Sequence, residues 1–165
     1  MADDSYRTIQ QVAEGYYTEK RSRFISYAIP VRTVEEVKEE LDKYRKQYYD
    51  ARHVCWAYML GADRQTFRAN DDGEPSSTAG KPILGQINSN ELTDILIIVV
   101  RYFGGIELGT SGLIVAYRCR RSDCRCRDRG THGRRRHYSC VRIPLSERDY
   151  ADSERRQPPD CVTKV

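Results

Sequence analysis

The sequence is poor in long apolar runs. Its longest aliphatic stretch, Ile95–Val100, is six residues, against the roughly 20 that a membrane-spanning helix needs. Large core-filling residues are also scarce, with three Phe, one Trp and two Met among 165 residues, while Tyr reaches twelve. The 11 Gly and 6 Pro exclude a collagen-like or Pro-rich chain. The start, Met-Ala-Asp-Asp-Ser, lacks a basic segment followed by an apolar one, so no secretory signal is expected, and the expected location is the cytoplasm. The length fits one ordinary domain with no membrane partner.

What is present is unevenly spread. Residues 1–118 carry 15 basic and 17 acidic side chains; residues 119–165 carry 13 basic and 7 acidic, and five of the six Cys. That final stretch has five Val, Ile or Leu and no Phe, Trp or Met. Burying five aliphatic side chains supplies on the order of 10 kcal/mol, whereas ordering each residue costs about 1–2 kcal/mol in backbone entropy. A basic nucleic-acid tail, with Arg134-Arg135-Arg136, is one reading. A zinc knuckle from Cys124, Cys126, His132, His137 and Cys140 is another, but the spacing matches no common structural zinc site, and no metal is expected. The reading adopted is an out-of-frame segment. Advancing the frame by one base turns a Cys codon followed by an Arg codon into Val or Ala, and Cys119, Cys124 and Cys126 all stand there. The re-read sequence is an Ala-rich helix former running into β-prone residues. Residues 119–165 are therefore expected to be a disordered tail.

In residues 1–118 the periodicities alternate between strand and helix. Phe24, Ile25, Tyr27 and Ile29 read as a strand before Pro30, His53–Leu60 as a second, Phe67–Ala69 as a short one, and Leu92–Phe103 as a buried one. Thr33-x-x-Glu36 is a capping box, and Val34, Val37, Leu41, Tyr44 and Tyr48 continue it as an amphipathic helix. Lys81–Ile87 reads as a short helix, and Thr110 or Ser111 could cap a last one through Leu113, Ala116 and Tyr117. The class is α+β, a two-layer sandwich of a sheet and a helix layer.

Four features carry candidate chemistry. The stretch Arg101-Tyr-Phe-Gly-Gly-Ile-Glu-Leu-Gly-Thr-Ser-Gly112 places Gly104, Gly105, Gly109 and Thr110 between a buried strand and a helix, where free backbone N–H groups can meet an anion; a tight turn is the plainer account. Thr110 stands where a nucleotide-binding loop has Lys, so that motif fails. Asp71, Asp72 and Glu74 could serve as acid, base or cation ligand, or simply shape an Asp-Asp-Gly turn, with Thr78, Gly80 and Lys81 capping the next helix. His53 and Cys55 share a strand face and could form a nucleophilic pair, though without a third partner a packed strand is the plainer account. Lys20, Arg21 and Arg23, interleaved with Tyr16, Tyr17 and Phe24, could make a basic aromatic surface for RNA, against the alternative of a solvated strand face.

Together these stretches resemble the YigZ/IMPACT family over about Tyr16 to Arg118. The residues that carry it are Lys20-Arg21-Ser22-Arg23-Phe24, His53 with Cys55 and Ala57-Tyr58, Asp71–Pro75 with Thr78–Pro82, and Arg101–Gly105 through Leu108-Gly109-Thr110 and Gly112-Leu113. The chain departs from the family pattern at Ser111, in place of Gly, and Val115, in place of Arg. The resemblance implies a fold like the second domain of ribosomal protein S5, a four-stranded sheet with helices on one face. It also implies that the tail replaces the end of this domain and the family's ferredoxin-like domain. Eukaryotic relatives regulate translation initiation, and no reaction or cofactor attaches to the family. The expected function is a non-enzymatic RNA- or ribosome-associated module in translation control, with translation-control proteins as further partners. Its expected surface is Lys20, Arg21, Arg23, Lys81 and Arg101 with the glycine loop, and His53, Asp71, Asp72 and Glu74 are the remaining motif candidates. The alternatives are an enzyme on a phosphate- or amide-containing substrate using the two loops, and a protein-docking domain.

Overall fold

The computed structural model describes residues 6–118 and the backbone of His137–Tyr138. The elements run β1 (Arg7–Thr8), β2 (Ala13–Glu19), β3 (Ser22–Pro30), α1 (Val34–Gln47), β4 (His53–Leu60), β5 (Thr66–Asn70), α2 (Gly80–Ser89), β6 (Ile95–Tyr102), α3 (Gly109–Arg118) and β7 (His137–Tyr138). The main sheet has the order β2-β3-β6-β4-β5, all antiparallel, and β1 pairs in parallel with β7. Apart from that short pairing, the tail expectation for residues 119–165 falls outside the described residues. Among the described residues no helix is long and apolar enough to cross a membrane.

Strand β6 occupies the centre because its sequence suits nothing else. Ile95–Val100 is apolar at every position, so both faces of the strand must be covered. Leu96, Ile98 and Val100 pack with Tyr27, Ile29, Val54, Trp56 and the α1 residues Val37, Leu41 and Tyr44. Ile95, Ile97 and Val99 pack on the other side with Phe24, Ala28, Cys55, Ala57, Met59 and residues of α2 and α3, including Ile83, Ile87, Leu113 and Tyr117. Helices thus cover both faces, and the sheet has five strands. Both points correct the expected four-stranded sheet with helices on one face. The fifth strand, β2, shows almost no apolar alternation, since its buried position is Gly15. Its hairpin with β3 supplies the order instead.

Local signals set the boundaries. Thr33 Oγ1 accepts from the Glu36 amide at 3.2 Å, and the Glu36 carboxylate accepts from the Arg32 amide at 2.6 Å, so the box closes one residue earlier than the usual reciprocal pair. Thr110 and Ser111 lie inside α3 rather than capping it. Register then converges on one end of the sheet. His53 at the start of β4 is opposite Arg101 in β6, and Arg23 in β3 is opposite Tyr102. The Lys20–Arg21 turn, the turn after β5 and the glycine loop after β6 all open at that end.

Candidate functional site

The turn after β5 is built by Asp71. Its Oδ1 accepts from the amides of Ala79 and Gly80 at 3.0 and 2.8 Å, and its Oδ2 from Ser77 at 3.0 Å. Desolvation pushes this carboxyl up, but the three amides, with Lys81 nearby, outweigh it and hold the group below the ordinary Asp range. Asp71 therefore caps α2 from eight residues upstream. The expected local cap at Thr78 is absent, because Thr78 Oγ1 donates to the Pro75 carbonyl at 2.6 Å. Gly80 must be small, since a Cβ there would lie 2.8 Å from the Asn70 nitrogen.

Asp72 and His53 tie the turn to β4. Asp72 Oδ2 accepts from the Val54 amide at 2.7 Å, its Oδ1 meets Arg45 at 3.2 Å, and His53 Nδ1 lies 2.8 Å from the Asp72 carbonyl oxygen. Both Asp side chains are thus occupied by the fold. Among the described residues no group of three His, Cys, Asp or Glu is arranged to hold a metal ion.

Glu74 goes inward. Its side chain is 3% exposed and its Oε1 receives Arg101 Nη1 at 2.5 Å and the Tyr117 hydroxyl at 2.9 Å, with His53 Nε2 at 4.0 Å. Arg101 is 6% exposed at its side chain and lies 5.6 Å from the Phe24 ring and 5.7 Å from Phe103. This corrects the expectation that Arg101 belongs to an open cationic surface: it neutralises an internal carboxylate. Cys55 is fully buried, and its Sγ donates to the Asp71 carbonyl at 3.0 Å and contacts the Tyr117 hydroxyl at 3.4 Å. Burial pushes the thiol well above its ordinary range, and burial likewise raises the Tyr117 phenol. A protonated, sealed thiol cannot be the nucleophile of a His53–Cys55 pair.

The glycine loop faces this turn across an open cleft of about 460 Å³. One wall is Gly73–Pro75, the other Glu107–Thr110, and the floor is His53, Glu74 and Arg101. Phe103 and Arg52 form the rim, with the Arg52 guanidinium 5.6 Å from the ring centre. Lys81, exposed on the first turn of α2, does not line it.

Beside the cleft stands the β2–β3 turn. Lys20 and Arg21 both have positive φ, 45° and 66°, as a two-residue hairpin turn of matching twist demands. Gly104 packs on this turn so closely that a Cβ would lie 2.1 Å from the Arg21 carbonyl carbon. The Gly104 amide donates to Ser22 Oγ at 3.3 Å. Gly105 and Gly109 take φ of 85° and 70° in the loop that follows. Arg23, exposed, covers the Tyr102 ring at 5.1 Å. Lys20, Arg21, Arg23, Gly104 and the cleft are thus neighbours, as are His53, Asp71, Asp72 and Glu74. Arg52, Phe103 and Tyr117 join them without a spacing signal to mark them. Tyr117 in particular reads as an ordinary apolar position of an amphipathic helix.

The family model described as Impact N-terminal domain matches residues 20–124. The chain is similar to the IMPACT family member YvyE of Bacillus subtilis (strain 168), 44% identical over 113 residues, 68% of this chain and 52% of that protein. It is also similar to the IMPACT family member YigZ of Escherichia coli (strain K12), 46% identical over 100 residues, 59% of this chain and 49% of that one. A crystal structure described as that of a hypothetical protein superposes with a TM-score of 0.65 at 41% identity, covering 67% of this chain and 54% of the other. The chain spans about half the length of the curated relatives it matches.

Proposed function

The chain belongs to the Impact N-terminal domain family, and on that premise we propose that it is a non-enzymatic module of translation control that associates with RNA or the ribosome in the cytoplasm. The observation that carries the reading is the basic aromatic surface at one end of the sheet. Lys20 and Arg21 project from a hairpin turn, Arg23 lies over Tyr102, and Arg52 lies over Phe103. Cations beside accessible rings suit a single-stranded nucleic acid, whose phosphates they neutralise and whose bases the rings can stack. The likeness to the second domain of ribosomal protein S5 belongs to this same proposal. An enzyme is the weaker reading, because the thiol is sealed and each carboxylate of the turn is bonded within the fold.

The test is co-sedimentation with ribosomes and single-stranded RNA binding at stepped salt. The parent chain is compared with the triple variant Lys20→Asn, Arg21→Asn, Arg23→Gln. Asn tolerates the positive φ of the turn, so the hairpin survives. Each phosphate contact removed lowers the slope of log K against log salt by about 0.7, so three contacts lower it by about 2. A triple variant that binds with the parent's affinity and slope refutes the proposal.

A further inference from the structure

Three separate observations meet in the cleft between Gly73–Pro75 and Glu107–Thr110. The first is the start of α3. Gly109 and Thr110 line the cleft, and among the described residues no side chain accepts from the amides of residues 109–112. At α2 the fold itself supplies the anion, since Asp71 takes the first amides. At α3 the positive end of the helix, Gly109–Thr110, borders the cleft.

The second is Arg101 on the floor. Its side chain is 6% exposed, yet only Nη1 is spent on Glu74, and Nε has no partner among the described residues. A guanidinium carries five donors in a fixed fork. Arg101 lines the cleft, and the donors of its fork not bound to Glu74 leave room for an acceptor brought by a ligand.

The third is the rim. Phe103 is 42% exposed at the cleft mouth, and Arg52 sits against its ring. The volume, about 460 Å³, lies in the range of small-molecule sites. Glu107 stands on the same wall, which disfavours several phosphates clustered inside the cleft and fits one phosphate with an uncharged base beside it.

We propose that this cleft is a mononucleotide subsite: a phosphate rests at the start of α3 within reach of Arg52 and the Arg101 fork, and the base lies against Phe103. The inference rests on the RNA-associated reading and deepens it, since it assigns one nucleotide of a bound strand to a built pocket distinct from the Lys20–Arg23 hairpin.

The experiment is titration of the full chain with adenosine 5′-monophosphate, followed by calorimetry and by amide chemical shifts, with adenosine and inorganic phosphate as separate arms. The variants are Phe103→Ala and Arg52→Gln, both at exposed positions, with Lys81→Gln as the control outside the cleft. Expected are saturable binding, shifts at residues 73–75 and 107–112, tighter binding than either fragment, and roughly tenfold weaker binding for Phe103→Ala, the scale of one lost base stack. Absence of saturable binding overturns the subsite, as does equal affinity in all three variants, equal affinity of phosphate alone, or shifts confined to residues 19–23. Polymer RNA bound while the mononucleotide is not overturns the subsite alone. Mononucleotide bound in the cleft while polymer RNA and ribosomes are not overturns the translation reading alone.

Discussion

Replacing Glu74 by Gln tests the organisation of the whole end of the sheet. The change keeps the size of the side chain and removes its charge, so Arg101 becomes a guanidinium with a 6% exposed side chain and no anion. Two further groups point at the same oxygen, the Tyr117 hydroxyl at 2.9 Å and His53 Nε2 at 4.0 Å. Breaking a buried pair by removing one partner costs about 3–5 kcal/mol, a large share of the about 5–15 kcal/mol that holds a domain folded. Urea denaturation of Glu74→Gln should therefore show a much lower midpoint with an unchanged slope. The double variant Glu74→Gln/Arg101→Met removes the stranded charge and should recover a good part of the loss, because a buried ion pair and an apolar replacement are often nearly equal in stability. The two single effects should then be far from additive. A loss below about 1 kcal/mol for Glu74→Gln would place Arg101 in water and refute the argument, whose magnitude comes from the burial of the pair.

Three more outcomes follow from separate contacts. Asp71→Ala strips three amides of their acceptor at once and should cost about 2 kcal/mol by chemical denaturation, the upper range for a lost cap. Because the Asp71 carboxyl titrates below its unfolded value, its contribution is complete above about pH 4 and fades as pH falls through the lower folded value, so parent and variant should converge in acid. Gly104→Ala forces a Cβ onto the Arg21 backbone and should destabilise by about 3 kcal/mol, with faster amide exchange in the Lys20–Arg21 turn; parental stability would show that the loop does not pack on the hairpin. Iodoacetamide should leave Cys55 unmodified in the native chain and label it after denaturation, read by peptide mass mapping; native labelling would contradict its burial.

Much of the layout is written in local signals. The bounds of β4 coincide with the run His53–Leu60, α1 begins where Thr33 announces it, and Ile95–Val100 can only be a strand covered on both sides. The apolar pattern of β6 already implied cover on both faces, and it outweighs the one-sided layer that family resemblance implies. β2 was not legible, because a strand whose inward position is glycine leaves no periodic trace. The candidate residues were legible as types, and their roles were not. Asp71 reads more readily as a turn residue than as a catalytic acid, but only its amide partners show that it caps α2, and Arg101 reads as a surface cation until Glu74 is found beneath it.

Local sequence marks the strands β3 to β6, the three helices, the charge break after Arg118 and the motifs of the Impact family, because each rests on residues near one another along the chain. Which of those motifs meet depends on the long-range pairing of the strands. Glu74, Arg101 and Tyr117 lie 27 and 43 residues apart, yet share one oxygen because β4 and β6 pair in the register His53–Arg101 and α3 returns across that face. A shift of one residue in that pairing would turn Arg101 to the opposite face, and no local pattern in the chain records which choice is made.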